Sequence, residues 1–275
     1  MATRLYFDTN TPTVSPTPDG SWEVTGSMVR RWLDVGKFPG HSLEALAVAT
    51  ALNSPAGAVD GLILQAVSAQ LASNVTISGA IKGQIIAQES NAAADERMQC
   101  VIWVMKTDGT SRGTLIASSA AALGNEFNTS ARNIKIPKNG STVPSSVAAL
   151  ATDRLVVEIG YRKHESATTN RTGTFSSGNP NTTDLPEDET TTTALAGWIE
   201  FADTLSFSIA PLRVSQTVAQ TALVPTPAVR ASQVVAQSVI VPTPAVRASQ
   251  VVMQVAVSGA VTVSAVGRTY VIWVG

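Results

Sequence analysis

Three stretches toward the C-terminal end repeat one another at a fixed interval. Arg213-Val214-Ser215-Gln216, Arg230-Ala231-Ser232-Gln233 and Arg247-Ala248-Ser249-Gln250 step by 17 residues. Pro225-Thr226-Pro227 recurs as Pro242-Thr243-Pro244 at the same step, and Gln220 recurs as Gln237 and Gln254. Self-similarity at one period marks a repeated structural unit. Each copy is a β-rich run closed by a Pro-Thr-Pro break. Val234-Val235, Val239-Ile240-Val241 and Val251-Val252 are strand formers, while proline lacks the amide that a central ladder needs. A dozen extended residues span roughly 40 Å, too long for a lone strand of a small sandwich. The ribbon has to bend, pair with its neighbours or lie along another subunit.

Charge sharpens this constraint. From residue 205 to 275 there are four arginines (Arg213, Arg230, Arg247 and Arg268) and no Lys, Asp or Glu. A free monomeric surface of that length ordinarily mixes both signs, and long apolar strands without charge are a liability as open edges. Partners are therefore expected to cover this tail, above all other copies of the chain. The candidate assembly residues are Arg213, Arg230 and Arg247 with Gln216, Gln233 and Gln250. Each guanidinium would meet a carboxylate or a backbone carbonyl of a neighbour. A self-contained β-domain with ordinary exposed arginines is the alternative.

The first 204 residues hold 15 basic and 20 acidic side chains, so composition shifts near Asp203 and a boundary is placed there. A net charge of −1 leaves no electrostatic footprint for nucleic acid. The single cysteine, Cys100, excludes an intrachain disulfide framework and a cysteine-based zinc site, and its apolar surroundings suit a buried thiol. The start of the chain, Met-Ala-Thr-Arg-Leu-Tyr-Phe-Asp, lacks the apolar run of a signal peptide, and no apolar stretch is long enough to span a membrane. Synthesis in a cytoplasm is expected.

In chain order, residues 1–26 suggest an extended N-terminal arm, in which Arg4-Leu5-Tyr6-Phe7 could be a first strand. Residues 75–85 alternate as one half-buried strand. Residues 98–105 suit a central strand, and Asp108-Gly109 supplies the turn to a hairpin partner at 112–116. Residues 118–127 are the one helix-compatible piece. Ile134 to Pro137 looks like an edge strand or loop. Leu155, Val157, Ile159 and Tyr161 share one face opposite Glu158 and Arg162, and residues 197–208 close the set. Residues 165–193, almost wholly polar, are expected as a long surface loop or protruding hairpin. These elements predict an all-β fold, an antiparallel jelly-roll-like β-sandwich over 27–204, followed by the extended β-strand repeat arm of 205–275.

Chemistry-bearing clusters are few. Asp184, Glu187, Asp188 and Glu189 are the one knot able to hold Ca²⁺, but their spacing fits no calcium loop and suits a solvated acidic turn. As paired carboxylates for glycoside hydrolysis they are crowded and badly placed to flank a sugar bond. His41 and His164 have no nucleophile elbow to serve, and phosphate-cradling glycine motifs do not occur. Arg30 and Arg31 beside Trp32 suit a solvated strand end better than a phosphate site. Trp22, Trp32 and Trp198 are candidates for stacking on sugar rings, though Trp103 and Trp198 sit in strand runs where core packing is the ordinary fate. No cofactor, no metal and no enzymatic activity are expected.

Residues 77–84, 89–91, 153–162 and 183–201, including Asp153-Arg-Leu-Val-Val-Glu158-Ile-Gly-Tyr-Arg162 and Trp198-Ile-Glu-Phe201, resemble uncharacterised proteins of tailed bacteriophages and prophage-like regions. The Arg-Val-Ser-Gln type repeat likewise resembles C-terminal repeats of phage virion proteins. The resemblance implies location in a virion, as a cement, neck, collar or tail-fibre component, with other copies and other virion proteins as partners. It carries no site residues across. A module that recognises host surface glycans is the alternative function.

Overall fold

The computed structural model describes residues 1–37, 44–50, 59–118, 124–137, 141–163, 171–177, 183–208, 259–265 and 268–274. The chain divides into two compact units, Met1–Ala210 and Pro211–Gly275. The strands of the first unit are β1 (Thr3–Phe7), β2 (Val29–Asp34), β3 (Glu44–Thr50), β4 (Val59–Gln70), β5 (Val75–Ile77), β6 (Ile81–Glu89), β7 (Arg97–Met105), β8 (Ser111–Ile116), β9 (Arg132–Ile136), β10 (Val147–Ala149), β11 (Arg154–Lys163), β12 (Arg171–Ser177) and β13 (Trp198–Phe201). The second unit contributes β14 (Gly259–Ala265) and β15 (Arg268–Val274). Among the described residues the only helical piece is a 3-10 turn at Ala92–Ala94.

Eleven strands form one sheet in the order β3-β12-β6-β13-β1-β2-β4-β11-β7-β8, with β9 added to β6, while β5 and β10 pair separately. Every neighbouring pair is antiparallel except β2–β4. The sheet curls back on itself. Phe175 of β12 and Tyr161 of β11 are far apart in strand order, yet both rings contact Phe127, at centroid distances of 5.4 and 6.5 Å. The main core lies inside this curl and joins Leu5, Leu33, Leu64, Ile85, Ile102 and Ile159. The fold is thus all-β and a jelly-roll-like sandwich, as expected, with the two layers continuous through β13-β1-β2-β4.

Both outer faces are also covered. On β4, β7 and β11, Leu62, Val67, Val101, Trp103 and Val156 pack against Val14, Trp22 and Met28. Residues 1–26, expected as an extended arm with a candidate first strand at 4–7, form that strand as β1, but in the middle of the sheet, and then a cover for one face. On the other layer Ile86 and Trp198 pack against Leu185 and Leu195.

Three further expectations are corrected. The polar stretch 165–193 is not all loop, because β12 runs through it between β3 and β6. Threonine suits a pleated strand, and Phe175, fully buried, anchors the segment. The alternation over 75–85 is broken into β5 and β6, where the amides of Ser78 and Gly79 turn to the carboxylate of Asp203 at 3.0 and 2.8 Å. The helix expected at 118–127 is absent from its described part, where Phe127 is buried; residues 119–123 lie outside the described set. The hairpin β7–β8 forms as expected, with Gly109 at φ +85° in its turn.

The sheet's two ends differ. At one end β8 meets β7 through two register shifts, and the amide of Ser145 bonds the Leu115 carbonyl. At the other end β3 pairs with β12 over seven consecutive residues without a shift. Among the described residues no strand pairs with its outer edge.

Candidate functional site

The predicted assembly residues Arg213, Arg230, Arg247, Gln216, Gln233 and Gln250 all lie outside the described residues. The described part of the second unit is an antiparallel hairpin, β14–β15, registered from Gly259↔Val274 to Ala265↔Arg268. Arg268 is the sole charged residue in its two strand sequences. A two-stranded hairpin is marginally stable in water by itself and gains stability from a further layer or strand.

Three clusters of ionisable side chains stand out among the described residues of the body. Glu158, at the middle of β11, is fully buried on the face opposite Ile159. Its carboxylate accepts from Trp22 Nε1 at 2.7 Å, Trp103 Nε1 at 3.3 Å, Gln65 Nε2 at 2.9 Å and the Asp19 amide at 3.1 Å. Burial pushes its pKa up, and these donors pull the other way. Arg30 Nε donates to Gln65 Oε1 at 2.8 Å and its NH2 group to the Pro16 carbonyl at 3.3 Å, so the same network ties the cover at both ends. The sequence placed Glu158 on the outward face correctly, but that face is dry because residues 14–28 lie on it. Trp22 was the available signal, since an indole N–H placed on an apolar face needs an acceptor.

The second cluster joins both layers at one end of the sandwich. Glu96, just before β7, and Glu89, at the end of β6, are both buried. Glu89 Oε2 accepts the Glu96 amide at 3.1 Å. Neither carboxyl oxygen of Glu96 has a hydrogen-bond partner among the described residues. Burial and the neighbouring Glu89 carboxyl push the Glu96 pKa to about 8, against the pull of Lys163. Lys163, at the end of β11, is itself buried and its pKa lowered by that burial. A Cβ on Gly173 of β12 would come within 2.6 Å of Glu96 Oε2, so this corner closes only with glycine there. Glu96 holds its proton at neutral pH and is shut off from solvent.

The acidic knot forms the third cluster, and its carboxylates diverge. Asp184 meets Arg4 at 2.6 Å and Lys37 at 2.5 Å, Glu187 meets Lys82 at 2.7 Å, and Glu189 meets Lys135 at 3.2 Å. Asp188 instead accepts from the Thr190 and Thr191 amides, which lower its pKa to about 2. Arg4 also bonds Glu200 at 2.7 Å and stacks 3.9 Å above the Trp198 ring. The knot is therefore a strap, pinned separately to β1, β6 and β9, that carries Leu185 onto Trp198. Among the described residues no group of three or more His, Cys, Asp or Glu is arranged to hold a metal ion.

The other candidates are placed as follows. His41 and His164 lie outside the described residues. Cys100 is buried and its thiol pKa is pushed up by that burial. Trp22, Trp103 and Trp198 are buried, with the Trp198 indole donating to the Leu185 carbonyl at 2.8 Å. Trp32 is half-buried with the Arg154 guanidinium over its ring at 5.7 Å. Arg31 is buried and donates to the Arg30 carbonyl at 3.1 Å. No helix among the described residues is long and apolar enough to cross a membrane.

Comparison with known protein families finds no match, and comparison with curated proteins finds none. Among solved structures, a CocE/NonD family hydrolase from Staphylococcus aureus is similar at 9% identity and a TM-score of 0.38, over 74% of this chain and 36% of that one. An α-amino acid ester hydrolase is similar at 9% identity and a TM-score of 0.32, over 73% and 36% of the two chains. A structure of infectious bursal disease virus, Gt strain, is similar at 8% identity and a TM-score of 0.30, over 59% and 33%. The chain thus spans about a third of the length of these solved chains. Likenesses of this size carry no argument about what the chain does.

Proposed function

We propose that this chain is a structural component of a tailed-phage virion, present in many copies that are joined through the C-terminal repeat arm. Cement, neck, collar and tail-fibre roles all fit this reading. The repeat itself carries it: three strand-forming copies at a 17-residue step, in a tail with four arginines and no carboxylate. Such a tail has no anionic side chain of its own to meet its guanidiniums, so any carboxylate side chain that pairs with them comes from outside it. The body supports the same reading. Glu158 and the acidic strap tie the covers to the sandwich, and both Glu158 and Glu96 are closed to solvent. A glycan-binding module draws less support, because Trp22 and Trp198 are buried in packing.

Light scattering during size-exclusion chromatography tests the proposal on the full chain and on a chain ending at Ser208. The expected result is an oligomer for the full chain and a monomer for the shortened one. A monomeric full chain at micromolar concentration overturns it.

A further inference from the structure

The two ends of the curled sheet are treated differently, and the difference points to a site. An open strand edge presents unpaired backbone donors and acceptors, and monomeric proteins blunt such edges with charges, proline, bulges or covering segments. The β8 end has these devices: Arg112 in the strand, two register shifts against β7, and the Ser145 amide on the Leu115 carbonyl. Among the described residues the β3 end shows neither a bulge nor a covering strand. Its sequence, Glu44-Ala-Leu-Ala-Val-Ala-Thr50, has one charge at its start, no proline, and an unshifted seven-residue register to β12.

We propose that the outer edge of β3 receives a strand from the repeat arm of a second copy, which extends the sheet across the subunit boundary. This rests on the arm being an assembly element and names where it docks. Backbone pairing at a sheet edge is a recurring recognition mode in which main-chain hydrogen bonds supply affinity. The sequence of the arm offers a segment of suitable length, since Pro227 and Pro242 bound residues 228–241, which are rich in strand-forming valine and isoleucine. Charge agrees as well: β3 begins with Glu44, and the segment begins near Arg230. The donor is a second copy because the arm is read as joining copies of the chain.

Disulfide trapping between full-length chains tests this. One chain carries Ala47→Cys, or Ala49→Cys should the first variant misfold, and the other carries a single cysteine at each position from 233 to 239 in turn. Cys100 is buried and stays silent. After the two chains are assembled together and oxidised, the expected product is a mixed covalent dimer that peaks at the one arm position opposite the cysteine, is weaker two positions away on the same face and is absent at the positions between. Its yield should exceed that of either chain alone by tenfold or more. Circular dichroism confirms that each variant is folded. Absence of the mixed dimer, while light scattering still gives an oligomer, overturns the β3 site and leaves the assembly reading standing. A cross-link found only within a doubly substituted chain shows the arm on its own body and overturns the proposal. A monomeric full chain overturns both.

Discussion

A carboxylate with four donors around it, closed to water, behaves as a rivet. Removing the Glu158 side chain strands two indole N–H groups, the Gln65 amide and the Asp19 backbone amide in a dry layer. An unsatisfied buried donor costs about 1–3 kcal/mol. Glu158→Ala should therefore lower unfolding stability by at least about 3 kcal/mol, read from the urea midpoint, and should make residues 14–28 exchange amide protons faster than β6. Glu96 has no such donors among the described residues, and its buried carboxyl opposes folding once ionised. The unfolded carboxyl loses its proton near 4.5, while the folded one keeps it to about 8. The folded state binds the extra proton between these values, so stability falls as pH rises through that window. Glu158, Glu89 and Asp60, also raised by burial, act in the same direction. Asp153 and Asp184, lowered by hydrogen bonds and arginine or lysine partners, lose their contribution only as pH falls below the ordinary carboxylate range. Glu96→Gln should flatten the decline in urea midpoint between pH 5 and 8.5. An unchanged decline would show that Glu96 is not its source.

At the level of elements, legibility followed the contrast between a strand's two faces. Leu155, Val157, Ile159 and Tyr161 alternate with Glu158 and Arg162, so β11 could be read directly, and Asp108-Gly109 announced the β7–β8 turn. The strand β12 could not be read so, because Arg-Thr-Gly-Thr-Phe-Ser-Ser has a single large apolar residue and the composition of a loop. What makes it a strand is tertiary: β3 and β6 supply ladders on both sides, and Phe175 reaches the Phe127 ring. Phe175→Ala should accordingly cost about 3–5 kcal/mol, the usual range for a buried aromatic, and denaturant melts would show it. The covers over the two outer faces were equally hidden. Periodicity reports which face is apolar, and it does not report that 14–28 and 183–196 will come to lie upon the other. Of the clusters in the body, the acidic knot was visible as composition, but its division among Arg4, Lys37, Lys82 and Lys135 required the sheet order.

At the scale of the whole molecule, the arm is the part that the sequence describes best. Its period and its one-sided charge are properties of the chain alone. If copies join through the arm as proposed, replacing Arg213, Arg230 and Arg247 together by alanine should weaken self-association about tenfold or more in sedimentation, since charge-assisted hydrogen bonds contribute more than neutral ones. The body should melt as before, because none of these residues belongs to the first unit. One arrangement in that unit has a mechanical corollary. The Met1 ammonium donates to Thr204 Oγ1 at 2.7 Å, and Thr3 of β1 stands opposite Phe201 of antiparallel β13. The routes into and out of the sandwich thus share one corner. Tension applied between residue 1 and residue 208 would load the rungs there one after another, like a zip, starting with Met1–Thr204 and moving toward Tyr6–Trp198. A load borne by the outer edges of the sheet would meet many rungs at once in shear. A particle hung from that corner would have a compliant joint, and one held along its strands a stiff one.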